Sequence, residues 1–109
     1  MSRADYEIAP EELREKLDGP APPLVLDVRR HDEVAIAPMP RAMHLPMDEL
    51  QDRLDELDPE KETVVVCHHG VRSLSVAVFL RNQGFKKVSS LAGGIDLWSL
   101  VVDPSVPRY

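Results

Sequence analysis

The stretch Thr63-Val64-Val65-Val66-Cys67-His68-His69-Gly70-Val71-Arg72-Ser73 decides the fold of this chain. Thr63 to Val66 is a β-branched run, typical of a strand that is buried on both faces of a parallel sheet. Cys67, the only cysteine of the sequence, follows at the carboxyl end of that strand. In open α/β sheets the ligand crevice lies outside the carboxyl ends of the strands. The stretch therefore predicts a reactive thiol at a ligand-binding edge.

Hydrophobic patterning on both sides of this stretch predicts alternating strands and helices. We predict strands at residues 6–8, 24–28, 42–44, 63–66 and 85–91. We predict helices at 10–17, 31–34, 48–57, 74–83 and 95–100, with an irregular segment at 37–41 and an extended tail over 103–109. Residues 63–91 then form a strand, loop, helix, strand unit, and such units are parallel. The predicted fold class is α/β, a small parallel β-sheet flanked by helices.

Length and composition describe a globular protein. The chain has 109 residues, of which 43% are hydrophobic and 29% are charged, with no internal repeat. This suffices for a single core, and we expect one domain over residues 1–109. The formal net charge of -6 argues against a nucleic-acid partner, because phosphate binding relies on clustered Lys and Arg.

The cysteine content and the start of the chain bear on its compartment. One cysteine cannot form an internal disulfide. No apolar run follows the polar start from Met1 to Asp5, so neither secretion nor membrane insertion is signalled. We therefore expect a cytoplasmic protein without a membrane partner, where a lone thiol stays reduced.

The residues after Cys67 suit the chemistry of a reactive sulfur. If residues 68–72 curl around Cys67 before the next helix begins, several backbone N–H groups converge on its sulfur. Such a nest at the positive end of a helix binds anions and favours a thiolate, which is the nucleophilic form. Gly70 permits the curl, Arg72 supplies a positive charge for an anionic substrate, and Ser73 can cap the helix.

Two charged residues near the end of the second predicted strand support this site. Asp27 and Arg29 point to the same side of the strand, because strand side chains alternate. They form a structural ion pair, or they meet groups from the next loop. Arg72 likewise has two possible roles, as a clamp for an anionic substrate or as an ion-pair partner of Asp27. The sequence leaves both questions open.

Cys67, His68 and His69 also have simpler interpretations. A cysteine after an apolar strand is more often a small core residue than a nucleophile, but the Gly-x-Arg-Ser that follows it favours a nucleophile. Adjacent histidines in a tight loop rarely aim at one ion, and further ligands are missing. We therefore expect no metal and interpret His68 and His69 as residues that line the mouth of a pocket.

Residues 67–73 resemble the active-site loop of rhodanese-family sulfurtransferases, Cys-x-x-Gly-x-Arg-Ser. Leu26-Asp27-Val28-Arg29 is similar to the family's Asp-x-Arg strand, residues 42–46 to its Ala-x-x-x-Pro segment, and residues 91–98 to its Gly-Gly-x-x-x-Trp ending. These segments together cover nearly the whole chain. One departure is Ala37-Pro38-Met39-Pro40-Arg41, where the family typically reads Gly-His-Ile-Pro-Gly.

The resemblance implies a rhodanese-like fold and a sulfurtransferase that needs no cofactor. Cys67 would take a sulfane sulfur from a donor such as thiosulfate and pass it, as a persulfide, to cyanide, a thiol or a carrier protein. Because the chain has no second cysteine, the acceptor must be external. The implied site consists of Cys67 as the catalytic residue, of His68, His69, Gly70, Val71, Arg72 and Ser73 as the substrate-binding loop, and of Asp27 and Arg29 as supporting residues.

Two other functions remain as alternatives. Cysteine phosphatases and arsenate reductases resemble the same design, but the phosphatases place five residues between Cys and Arg, whereas four separate Cys67 from Arg72 here. The smaller ring suits one sulfur atom better than a tetrahedral phosphate. The second alternative is a binding module or sulfur-relay partner with weak or no enzymatic activity, which delivers sulfur to a dedicated acceptor.

Overall fold

The computed structural model describes residues 3–109 and arranges five strands in one sheet. They are β1 (Glu7–Ile8), β2 (Leu24–Asp27), β3 (Ala42–His44), β4 (Thr63–Val66) and β5 (Val88–Leu91). Their order across the sheet is β1-β5-β4-β2-β3, and every neighbouring pair is parallel. The predicted α/β class with a small parallel sheet is confirmed, and the strand before Cys67 is the central one.

Helices cover both faces of this sheet. They are α1 (Pro10–Leu17), α2 (His31–Ile36), α3 (Val71–Asn82) and α4 (Gly94–Val101), with 3-10 segments at Arg3–Tyr6, Met47–Glu49 and Gln51–Glu56. Leu13 of α1 and Trp98 of α4 belong to the core on one face, whereas Leu80 of α3 belongs to the core on the other. Over residues 3–109, none of the helices has the length and apolar character needed to cross a membrane.

Side-chain alternation along β4 decides which face receives Cys67. Val64 and Val66 belong to the core that α1 and α4 cover, while Val65 and Cys67 belong to the core that α3 covers. The three valines are 0% exposed and Cys67 is 1% exposed, as expected for a strand buried on both faces. The thiol is therefore directed to the side of the sheet on which the next helix packs.

The predicted helix at residues 48–57 is wrong in type. The chain forms two 3-10 segments there, and Arg53 has a non-helical backbone with φ -124° and ψ 21°. Leu50 and Leu57 are nevertheless buried, so the apolar spacing identified the inward side correctly. A 3-10 turn has three residues, so Leu54 and Leu57, three positions apart, share one side in either helix geometry.

Several predicted element bounds and the predicted tail also change. The helix after Cys67 begins at Val71 rather than at residue 74, with Gly70 as its N-cap at φ 93°. β5 begins at Val88 rather than at residue 85, because a turn after α3 occupies the intervening residues and the Phe85 N–H donates to the Leu80 carbonyl. The tail is not extended: the Val106 N–H donates to the Asp103 carbonyl, which folds the segment back.

Candidate active site

Cys67 lies at the carboxyl end of β4, and the loop before α3 encloses its sulfur. The backbone N–H groups of Gly70 and Ser73 donate to Sγ at 3.1 and 3.3 Å. Ser73 lies in the first turn of α3, so the positive end of this helix is directed at the sulfur. The predicted curl is present, but its donors are Gly70 and Ser73 rather than the whole run 68–72.

Ser73 contacts the sulfur instead of capping α3. Its Oγ lies 3.3 Å from Cys67 Sγ and 2.7 Å from the Oγ of Ser90 on β5. The helix has no side-chain cap, because it begins at the left-handed Gly70 and Ser73 falls inside it. Both serines are 0% exposed. Since a hydroxyl both donates and accepts, the Ser73–Ser90 pair can serve the sulfur as a thiol or as a thiolate.

The N-terminus of α4 holds the loop from the other side. The Ile95 N–H donates to the Cys67 carbonyl at 2.9 Å, and the Asp96 N–H donates to the His68 carbonyl at 3.1 Å. A Cβ on Gly94 would clash with the His68 carbonyl oxygen, so only glycine allows this approach. The Gly93-Gly94 pair at the start of α4 therefore belongs to the site as a support of the loop.

Arg72 pairs with Glu33 and not with Asp27. Its Nη1 and Nη2 donate to the two carboxylate oxygens of Glu33 at 2.7 and 2.9 Å. These bonds lower the pKa of Glu33 to about 2, although burial opposes the shift, and Glu33 in turn raises the pKa of Arg72. The Arg72 side chain is 32% exposed and keeps further N–H donors, so it can still reach a ligand.

Asp27 and Arg29 pair with each other in the interior. Arg29 Nε and Nη2 donate to the Asp27 carboxylate at 3.0 and 2.7 Å. The other Arg29 hydrogens go to the carbonyls of Glu33 and Ala37 and to the Tyr109 hydroxyl. Because all five N–H donors of this guanidinium are bound, Arg29 holds the segment after β2 in place and has none left for a substrate.

His68 and His69 form a stacked group beside the loop. The rings of His68 and His69 lie 3.9 Å apart, and the His68 ring lies 3.8 Å from that of Tyr109. His68 Nε2 is 2.8 Å from the Tyr109 backbone oxygen, and the His69 side chain is 61% exposed. Within residues 3–109, no group of three or more His, Cys, Asp or Glu is placed to hold a metal ion.

An open cavity of 380 Å³ adjoins Arg72. It is lined by Val28, Arg30, Pro46, Met47, Asp48 and Arg72. Arg30 contacts Asp32 at 3.0 Å, as Arg72 contacts Glu33, so both arginines that face the cavity have an acidic partner. The cavity therefore offers a ligand hydrogen-bond donors but little uncompensated positive charge.

The sequence did not reveal three residues of this site: Glu33, Ser90 and Tyr109. Glu33 lies 39 positions from Arg72 and 76 from Tyr109, and no local pattern links such distant residues. Ser90 gave no clear signal either, because its strand, Val88–Leu91, also contains Ser89.

The arrangement is suited to hold negative charge on sulfur. The N–H groups of Gly70 and Ser73 already donate to Cys67 Sγ, and donors that are in place stabilise an anion without reorganisation. The Ser73 hydroxyl accepts from the thiol and can turn to donate to a thiolate. Such a site supports a thiolate nucleophile or a covalent adduct whose outer atom carries the charge.

A family model described as a rhodanese-like domain matches residues 9–100 of this chain. The putative sulfurtransferase YtwF of Bacillus subtilis is 37% identical over 84% of this chain and 88% of its own length. The thiosulfate sulfurtransferase GlpE of Coxiella burnetii is 43% identical over 69% of this chain and 70% of its own length. The rhodanese-like/PpiC domain-containing protein 12 of Arabidopsis thaliana is 40% identical over 94% of this chain, which spans only 37% of that relative.

Solved structures show the same likeness. The crystal structure of a rhodanese-like domain protein from Staphylococcus aureus is 30% identical to this chain and superposes with a TM-score of 0.82. The match covers 95% of this chain and 98% of that chain.

Proposed function

Since this chain belongs to the family of rhodanese-like domains, we propose that it is a sulfurtransferase that moves a sulfane sulfur through a persulfide on Cys67. The observation that carries the proposal is the pair of N–H groups of Gly70 and Ser73 on the Cys67 sulfur. A persulfide differs from a thiolate by one sulfur atom, and the same donors that stabilise the thiolate are close to that added atom.

In the first half of the reaction, the Cys67 thiolate attacks the outer sulfur of a donor such as thiosulfate. A new S–S bond forms at Cys67, and sulfite leaves with the electron pair of the bond that breaks. The product is an anionic persulfide, which needs no oxidant, reductant or cofactor. The role of the N–H groups is electrostatic, because they face the atom on which the charge develops.

In the second half, a nucleophile removes the outer sulfur. Cyanide attacks it and leaves as thiocyanate, or a thiolate attacks it and leaves as a new persulfide. In both cases Cys67 regains its electron pair as the thiolate. The described residues hold Cys67 as the one cysteine, so the acceptor is an external small thiol or a protein carrier, and the kinetics are ping-pong.

Arg72 and the cavity beside it are the proposed entry for the donor. The guanidinium remains 32% exposed after pairing with Glu33, and its free N–H groups can bind a sulfonate oxygen. As part of this proposal, residues 1–109 act as one domain in the cytoplasm, where a free thiol persists.

A sulfur-relay role, with thiosulfate turnover only incidental, is the second candidate. It is favoured by the pairing of Arg72 with Glu33, which offsets the charge that would attract a dianionic donor. It predicts fast sulfur transfer from a protein persulfide and poor kinetics with thiosulfate. A comparison of the two donors on one preparation discriminates the candidates.

The test of the proposal is thiosulfate-to-cyanide turnover with the wild-type chain and with Cys67→Ser. We expect turnover to fall to the background rate in the variant, because a serine side chain has no sulfur atom on which a persulfide can form. Mass spectrometry of the wild type after thiosulfate treatment should show a gain of one sulfur atom. Equal turnover in both proteins, with circular dichroism showing both folded, would overturn the assignment.

A further inference from the structure

The segment after α4 returns to the candidate active site and is held at two points on the way. Ser99 Oγ donates to the Val106 carbonyl at 2.6 Å, and Val106 is 4% exposed in the core. Arg108 Nε donates to the Asp96 carboxylate at 2.9 Å, directly beside the turn of α4 that holds the Cys67 loop. Residue 109 therefore arrives at the site in a defined position.

Tyr109 contacts three residues of the site at once. Its hydroxyl accepts a hydrogen bond from Arg29 Nη1 at 3.0 Å and donates one to Glu33 Oε2 at 2.9 Å. Its ring stacks on the ring of His68, with the centroids 3.8 Å apart and the planes 9° from parallel. Burial raises the pKa of Tyr109, so the hydroxyl keeps the proton that it donates to Glu33.

These contacts join two parts of the chain that meet at Cys67. Arg29 and Glu33 belong to the segment from β2 to α2, whereas His68 belongs to the loop after β4. Glu33 is in turn the bidentate partner of Arg72, so a shift of Tyr109 is transmitted to that guanidinium. Tyr109 lies outside residues 9–100 and so outside the part that matches the family model.

We propose that Tyr109 is a positioning residue for sulfur transfer in this chain. Through Glu33 it fixes the guanidinium of Arg72, and through the stacked ring it fixes His68. An anionic sulfur donor therefore meets one fixed arrangement of hydrogen-bond donors beside Cys67. Tyr109 acts through these residues and not on the reacting sulfur. The inference rests on the proposed function, in which Arg72 receives the donor.

Tyr109→Phe and Tyr109→Leu separate the two contacts. Phenylalanine keeps the stack and loses both hydrogen bonds, so we expect the KM for thiosulfate to rise roughly three- to tenfold. We expect kcat to change by less than about twofold, because the nucleophile and its N–H donors are untouched. Leucine loses the stack as well and should raise KM further. Tyr6→Phe is the matched control, since Tyr6 packs on Arg81 at the far end of α3.

A second readout does not depend on sulfur transfer. Iodoacetate and iodoacetamide alkylate the single cysteine and differ in charge, so the ratio of their rates reports how well the site receives an anion. We expect this ratio to fall by roughly threefold in Tyr109→Phe, because the charge-assisted hydrogen bonds around Glu33 and Arg72 then lack the tyrosine hydroxyl. Tyr6→Phe should leave it unchanged.

Unchanged KM and unchanged alkylation ratio in both Tyr109 variants would overturn the proposal, even if the thermal midpoint falls, because that pattern describes a purely structural tyrosine. If the wild type shows no thiosulfate turnover and gains no sulfur on Cys67 from any persulfide donor, the proposed function fails. The alkylation ratio then still decides whether Tyr109 positions Arg72.

Discussion

Two arginine–carboxylate pairs lie close together in this protein and differ in nearly every respect. Arg29 and Asp27 are 0% and 1% exposed, and all the N–H groups of Arg29 are bound within the chain. Arg72 is 32% exposed, keeps free donors and adjoins an open cavity. The same chemical pair is therefore found once as a buried fixture of the backbone and once beside an open cavity. The two pairs differ in how many N–H donors of the arginine remain without a partner in the chain.

The largest effect should come from breaking the buried pair. Asp27→Asn leaves the Arg29 guanidinium buried without its counter-charge, and we expect a loss of about 3–5 kcal/mol in the free energy of unfolding. Urea denaturation measures it. Asp32→Asn, in an exposed pair with Arg30, is the control and should cost far less, because water screens that pair. Similar losses in both variants would mean that burial does not distinguish these pairs.

A smaller and pH-dependent effect is expected at Glu33. The folded-state pKa of Glu33 is about 2, below the ordinary value of 4.5, so its stabilisation is complete above pH 4.5 and is lost as the pH falls towards 2. Glu33→Gln should therefore be less stable than the wild type by up to roughly 3 kcal/mol at pH 7, and the difference should vanish near pH 2. Urea denaturation across this range tests it.

A suitable control for that series is Glu56→Gln, since Glu56 also pairs with an arginine but lies in solvent. Screening by water should make its pH-dependent contribution much smaller than that of Glu33. If Glu33→Gln and the wild type lose stability in parallel as the pH falls, the Arg72–Glu33 pair does not contribute in the way described.

The smallest effect on stability, and the clearest on function, should follow Arg72→Lys. Lysine keeps the charge but cannot form the bidentate pair, so the charge is no longer fixed beside the cavity. We expect kcat/KM for thiosulfate to fall about tenfold, equivalent to about 1.4 kcal/mol, with a smaller loss of stability than in Asp27→Asn. Arg53→Lys in the exposed 3-10 segment is the control, and an equal fall there would refute a specific role for Arg72.

The local features of this molecule could be predicted from the sequence. The β-branched run of β4 and the spacing from Cys67 to Ser73 predict a buried strand, a tight loop and a helix, since these features depend on neighbouring residues. The pairing of Asp27 with Arg29 is predictable as one of two possibilities for the same reason, because the two residues are only two positions apart in the chain.

The parts that were missed depend on contacts between distant segments. No pattern near Arg72 selects Glu33 over Asp27 as its partner, because the choice depends on where α2 packs. The segment before β3 gives a second example. Arg41 has φ 64°, a left-handed conformation that costs a non-glycine residue about 1 kcal/mol, at a position where the resembled family has glycine. Hydrogen bonds from Arg41 to Leu17 and Asp18 accompany that conformation and were equally invisible in the sequence.

The two N–H groups that α4 donates to the carbonyls of Cys67 and His68 have a consequence for protein engineering. These bonds fix the first two peptide groups of the loop, from which the chain continues to the Gly70 N–H that donates to the sulfur. The position of the loop thus depends on a helix that follows it by more than twenty positions in the chain. Residues 67–73 grafted alone onto another scaffold would keep every side chain of the motif and lose that support. The smallest transferable unit extends from β4 through Asp96.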